Sequence, residues 1–168
     1  RLDRSTARLK PLRLPKLGAP SWLGRENESW PTNFFVRYWD PSWQNLILGE
    51  GDSFLSRIIA AGFDGVYLDR IDTFQTIGSE RPEARHDMVR FVVALAERAR
   101  RQRPGFVVVP QNGEQLLSDP AYLAVVDAVA KEDLLYGITH REELNKKDDV
   151  VWSTNLLKGA QTKGKKIF

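Results

Sequence analysis

Gly62-Phe63-Asp64-Gly65-Val66-Tyr67-Leu68-Asp69-Arg70-Ile71-Asp72 is the stretch whose reading decides the fold. A glycine leaves a helix, a short apolar run follows, and two carboxylates stand where that run ends. Alternation along an extended strand puts Tyr67, Asp69 and Ile71 on one face and Val66, Leu68 and Arg70 on the other. A carboxylate at the exit of an apolar strand is costly to bury and needs a reason. Asp69 either caps the following segment, pairs with Arg70, or does chemistry at the mouth of a parallel barrel, where strand exits gather catalytic groups.

Downstream the pattern repeats. Residues 83–103 carry Met88, Phe91, Val92, Leu95, Ala96 and Ala99 at helical spacing, with Arg98, Arg100, Arg101 and Arg103 at the end. Those arginines suit the helix dipole and read as a solvated helix end. Pro104-Gly105 stops the helix, and Phe106 to Pro110 is a continuous apolar run, the pattern of a strand buried on both faces. Leu116 to Val126 reads as a helix broken near Asp119-Pro120. Ala128 to Ala130 is a third short strand, Asp148 to Ala160 a helix with Val151, Asn155 and Leu156 facing inward, and Lys165 to Phe168 a further strand.

Upstream, Phe34 to Trp39 has strand composition, and Asp40-Pro41 opens a helix with an acidic N-cap and proline at the first position. A second helix runs from Phe54 to Ala61, capped by Asp52 or Ser53 and closed by Gly62. Residues 18–33 read as a loop that carries Trp22 and Trp30, whose indoles either dock on the core or offer flat faces to a sugar ring. Residues 1–17 read as an extended basic arm, and residues 18–168 as the folded domain. Helices alternating with short strands imply α/β architecture, with parallel pairing through right-handed crossovers.

Composition narrows the function. A chain of 168 residues that is 42% hydrophobic suits one domain with a real core. It has no cysteine, which excludes disulfides, thiolate metal sites and cysteine nucleophiles. The pI of 9.3 suggests nucleic acid, yet residues 1–17 hold a net charge of +5 and the rest −2. A nucleic-acid-binding body needs its own basic face, so only the arm could serve that role. No apolar run approaches the roughly 18 residues of a membrane span. Gly62-Phe63-Asp64-Gly65 matches neither dinucleotide nor Walker phosphate loops. Nothing has metal-ligand spacing, His86 and His140 are isolated, and no cofactor is expected.

Three successive strands end alike. The first delivers Asp69 and Asp72, the second Gln111, Asn112 and Glu114, and the third Lys131, Glu132 and Asp133. In a β/α array these ends converge, so carboxylates distant in sequence become neighbours. Paired carboxyls are what glycosidic cleavage requires, one to protonate the leaving oxygen and one to attack or activate water. Other readings stay open: Glu114 as a first-turn helix acid, Asp72 and Asp133 as caps, and Lys131 as a surface partner of Glu132 or as the cation that keeps a neighbouring carboxylate ionised.

Tyr38-Trp39-Asp40-Pro41, Gly62 to Asp72, Pro110-Gln111-Asn112-Gly113-Glu114 and Lys131-Glu132-Asp133-Leu134 occur in that order. Together they resemble the endo-alpha-1,4-polygalactosaminidase-type glycoside hydrolases (family 114-like), from about Gly18 to Phe168. The resemblance implies a (β/α)8 TIM barrel, here partial, with about four to five βα units corresponding to family strands 4 to 7. It implies Asp69 as nucleophile and Glu132 as acid/base. Tyr67, Asp72, Gln111, Asn112, Glu114, Trp39 and Lys131 would contact an amino-sugar polysaccharide such as an alpha-1,4-galactosaminan. It also implies an extracellular or periplasmic setting, a natural N-terminus upstream of Arg1, and a truncated barrel with exposed strand edges. The alternative is an inactive barrel fragment that binds carbohydrate through Trp22, Trp30, Trp39 and Tyr67.

Overall fold

The computed structural model describes residues 18–28, 30–138 and 142–168; the expected arm and His140 lie outside them. Glycine punctuation and proline caps place the elements much as the sequence requires. The chain opens with two strands, β1 (Leu23–Glu26) and β2 (Phe34–Val36). α1 (Pro41–Leu48) follows, with the Asp40 carboxylate accepting the Ser42 backbone N–H. α2 (Phe54–Ala60) is capped by Ser53, while Asp52 pairs instead with Arg57. Then come β3 (Gly65–Leu68), α3 (Thr73–Ile77), α4 (Ala84–Gln102) and β4 (Val107–Pro110). A 3-10 turn (Glu114–Ser118), α5 (Pro120–Val125), β5 (Ala128–Val129), α6 (Lys147–Thr162) and β6 (Lys166–Ile167) complete the order.

β3 to β6 form a parallel arc. Gly65 lies opposite Val107 and Leu68 opposite Pro110. Gln111 then bridges to Ala130, and Ala128 and Val129 pair with Lys166 and Ile167. Gly65 is required here, because a Cβ on it would sit 2.5 Å from the Val107 carbonyl oxygen. The arc is a partial α/β barrel with helices on its outer face. α4 supplies most of the packing: Val92, Ala96 and Ala99 are fully buried, in the register that the apolar period predicts. Among the described residues, β3 and β6 are each paired on one side only.

The structure departs from the sequence reading in six places, five of them in the placement or burial of elements. Leu23–Glu26, read as loop, is a strand that pairs antiparallel with β2, closing a hairpin outside the parallel order. Thr73–Ile77, also read as loop, is a short helix whose Thr73, Phe74 and Ile77 are buried. β4 is not buried on both faces. Val108 is fully buried against the helices, but Val107 is 40% exposed, and Tyr67, which lies opposite Val109 on the same open side, is 56% exposed. The face that a closed barrel would fill is uncovered among the described residues. Ile71 does not share the open face with Tyr67, being 4% exposed, because Arg70 turns the chain with a φ of +61° and breaks the alternation. In α6 the inner residues are Ser153, Leu157 and Ala160, while Val151 and Asn155 are exposed.

The arginines at the end of α4 are structural ties, which corrects their reading as a solvated end. Arg100 donates to Asp127 Oδ2 at 2.8 Å and to the carbonyls of Val125 and Phe106. Arg103 pairs with Asp64 just before β3, and Arg98 with Glu50. Asp127 Oδ2 also accepts the Val108 backbone N–H at 2.7 Å, clamping β5 to β4. Hydrogen bonds to charged groups contribute about 1.5–3 kcal/mol. Asp127→Ala should therefore lower unfolding free energy in urea by that order, whereas Glu97→Ala, which removes an exposed pair with Arg101, should change it by less than about 0.5 kcal/mol.

Candidate active site

The site grows from three strand exits, each of which leaves its strand through a residue with positive φ: Arg70 (+61°), Asn112 (+59°) and Asp133 (+52°). These turns cost backbone strain and are typical of places where side-chain direction matters. After β3, the exposed Asp69 accepts the Arg70 backbone N–H on Oδ1 at 2.7 Å. Its local turn role and its place at the mouth are thus both real. The Arg70 carbonyl receives the Thr73 hydroxyl at 2.7 Å and starts α3.

Asp72 sits at the head of α3 without capping it. Its Oδ1 is buried with no hydrogen-bond partner. Desolvation raises its pKa above the ordinary carboxyl value; Asp69 adds to the rise, and Arg70 and Lys131 oppose it.

After β4, Gln111 is buried and its backbone N–H reaches the Leu68 carbonyl at 2.9 Å. Asn112 Oδ1 accepts two donors from the β5 exit, the Glu132 backbone N–H at 3.1 Å and Lys131 Nζ at 3.3 Å. Glu114 is buried in the first turn of the 3-10 segment, where it accepts the Ser153 hydroxyl from α6 and lies 3.1 Å from Lys131 Nζ. Lys131 is thus the cation beside a buried carboxylate, and the carboxylate is Glu114.

Beyond Glu132 the chain folds into a loop held by Asn145. The Asn145 amide donates to the carbonyls of Asp133 (2.6 Å) and Leu134 (3.0 Å), and its Oδ1 accepts the Ile138 N–H at 2.9 Å. Gly137, with φ +100°, passes so close that a Cβ would lie 2.8 Å from Asp133 Oδ1.

Two clefts meet this platform. One, of about 400 Å³, is lined by Asp72, Asn112, Glu114, Lys131, Glu132 and Asp133, together with Asp149 and Trp152 of α6. The other, also about 400 Å³, is lined by Asp69, Arg70, Trp30, Asn33 and Phe34. Tyr67 connects them electrostatically: partial desolvation, then Glu132, then Asp69, push its hydroxyl above the ordinary phenol pKa. Trp39 stands apart, half-buried in a third groove with Arg81 4.7 Å over its ring. Asp149, Trp152 and Ser153 were not among the expected site residues. Asp149 and Trp152 have the three-residue spacing that puts side chains on one helix face, which was the available signal. Among the described residues, no group of three His, Asp or Glu side chains is placed to hold a metal ion. No helix among them is long and apolar enough to cross a membrane.

A parallel βα arc with carboxylates at its strand exits places the chain among α/β barrels. More narrowly, the chain belongs to glycoside-hydrolase family GH114, which residues 12–155 match. An uncharacterized protein of Deinococcus radiodurans is 44% identical over 154 residues, covering 91% of this chain and 47% of its own length. One from Thermotoga maritima is 40% identical over 123 residues, covering 70% and 37%. A third, from Methanocaldococcus jannaschii, is 36% identical over 138 residues, covering 76% and 39%. The chain spans less than half the length of these curated relatives.

Two solved structures share the fold. The glycoside hydrolase domain of a PelA variant from Pseudomonas aeruginosa superposes with a TM-score of 0.64 at 24% identity, covering 82% of this chain and 52% of that one. Aspergillus fumigatus Ega3, solved in complex with galactosamine, gives 0.63 at 17% identity, covering 89% and 51%.

Two consequences are measurable. Removing one partner of a buried ion pair strands the other, at a cost of about 3–5 kcal/mol. Lys131→Met should destabilise by that order, and adding Glu114→Gln should recover much of the loss. For Asp72, the folded protein binds the carboxyl proton more tightly than the unfolded chain does. Its contribution to stability therefore falls as pH rises from the unfolded value of about 3.9 through the raised folded value. Asp72→Asn should gain on the parent as pH rises through that window, read as urea midpoints, and the gain should vanish in acid.

Proposed function

We propose that this chain carries the reacting pair of an endo-acting glycoside hydrolase, with an amino-sugar polysaccharide such as an alpha-1,4-galactosaminan as substrate. Glu132 protonates the glycosidic oxygen as that bond breaks and Asp69 bonds to the anomeric carbon from the opposite face; Glu132 then takes a proton from the water that displaces Asp69 and frees the sugar. The observation that carries this reading is that Asp69 and Glu132 stand at the exits of β3 and β5, the two strands that flank β4 in the parallel arc. Family membership supports the reaction class.

The substrate follows from charge. Asp72, Glu114, Glu132, Asp133 and Asp149 line the Glu132 cleft against the single cation Lys131, and an acidic cleft favours a polymer carrying ammonium groups. The galactosamine in the Ega3 complex is consistent with that chemistry. In this reading Asn112 holds the Glu132 backbone and Lys131, Asp72 and Glu114 shape the cleft, and Gln111 supports it from beneath. Trp39, in its separate groove, makes no contact with the reacting centre. An extracellular or periplasmic setting accords with a polymeric substrate.

A second reading is favoured by one observation. The face around Tyr67 and Val107 is open among the described residues, which supports an inactive barrel arc that binds the polymer without turning it over. The two readings separate on release of reducing ends from a galactosamine polymer. Asp69→Asn and Glu132→Gln should each lower the rate by about 10²–10⁴-fold with unchanged unfolding midpoints. Undiminished rates in both variants would refute the assignment of the pair, and polymer binding without turnover in the parent would establish the second reading.

A further inference from the structure

Five tryptophans are present, and their environments divide sharply. Trp22 lies 5.0 Å from Trp43, ring centre to ring centre, and Trp39 is held edge-on by Tyr38 and covered by Arg81. These three are half-buried. Trp30 and Trp152 are not: they are 60% and 46% exposed. Each lines one of the two clefts that carry the proposed reacting carboxylates, Trp30 the cleft with Asp69 and Trp152 the cleft with Glu132.

We propose that the two clefts are halves of one groove, in which Trp30 and Trp152 are stacking platforms for sugar rings on opposite sides of the bond to be cut. This rests on the glycosidase reading for the position of that bond. The order along the groove is Trp30, Asp69, Glu132, Trp152, because the β3 exit runs from one cleft into the other: Asp69, Arg70 and Thr73 line the Trp30 cleft, and Asp72 lines the cleft of Glu132 and Trp152. A pyranose presents an apolar C–H face and a polar rim, which matches an indole set among carboxylates and amides.

Both indoles are mounted on fixed backbone. Trp30 sits in the β1–β2 turn, where its N–H donates to the Asn27 carbonyl at 3.2 Å and its carbonyl accepts the Asn33 N–H at 3.1 Å. The Thr32 N–H donates to Glu26 Oε1 at 2.6 Å and pins the same turn. Trp152 adjoins Ser153, whose hydroxyl is bound to the buried Glu114. Rigid platforms hold a ring at little entropic cost, and two of them in series bind cooperatively only a chain long enough to reach both.

The experiment titrates galactosamine oligomers of two to six units into the full chain, calorimetrically and by indole fluorescence, and assays hydrolysis in parallel. Trp30→Ala and Trp152→Ala should each weaken hexamer binding by about tenfold. Trp30→Phe and Trp152→Phe should restore most of it, and the dimer should be sensitive to one substitution at most. Trp43→Phe, at a half-buried indole that lines neither cleft, should leave hexamer binding unchanged. Thermal unfolding of each variant shows whether it is folded.

Hexamer binding within about twofold of the parent in either alanine variant, loss that phenylalanine fails to restore, or no oligomer binding by the parent would overturn the proposal. If hydrolysis persists without indole dependence, the groove falls and the glycosidase reading stands. If indole-dependent, length-dependent binding appears without hydrolysis, the groove stands and the glycosidase reading falls.

Discussion

The ion pair between Lys131 and the buried Glu114 is the constraint that holds the mouth together. Glu114 comes from the turn after β4, Lys131 from the exit of β5, and the Ser153 hydroxyl that completes the carboxylate's contacts from α6. A buried charge tolerates no loose partner, since each ion taken out of water must recover its hydration in fixed contacts. Asn112 adds the remaining link by accepting both the Lys131 ammonium and the Glu132 N–H. Glu132 is therefore held by a network anchored on the buried Glu114. Its exposure at the surface and the rigidity beneath it have the same origin.

The elements around the site were legible in the sequence where local chemistry is decisive. β3, β4, β5 and α4 announce themselves through Gly62, Gly65, Pro104-Gly105 and a sustained apolar period. Asp69, Asp72, Asn112, Glu114, Lys131 and Glu132 could be picked because each ends an apolar run. The β1–β2 hairpin could not, since Leu23-Gly24-Arg25-Glu26 has little strand propensity and forms only because Phe34–Val36 offers it an edge. The inner face of α6 was misjudged for a related reason. Ser153 is buried, and Val151 exposed, because a carboxylate far upstream needs a hydroxyl donor. No helical period within α6 records that demand. The same shift in phase concealed Trp152.

Geometry also separates residues that composition groups together. Trp39 and Trp30 look equivalent as aromatic residues on polar stretches, yet one is locked under Arg81 and the other projects over the Asp69 cleft. The arginines that close α4 look like a basic patch, yet three of them fasten the helix to the starts of strands or to the loop after α1. Composition alone would have assigned both sets to ligand binding.

Asp69 and Glu132 stand on strands joined to the same middle strand, so their relative placement passes through two ladders of backbone hydrogen bonds and not around a closed ring. The distance between the two carboxylates is therefore set locally. Whatever completes the opposite wall of the barrel can drift, lengthen or be exchanged by recombination without disturbing it. The β3–β5 segment is a self-contained frame for the two carboxylates, whatever surrounds it.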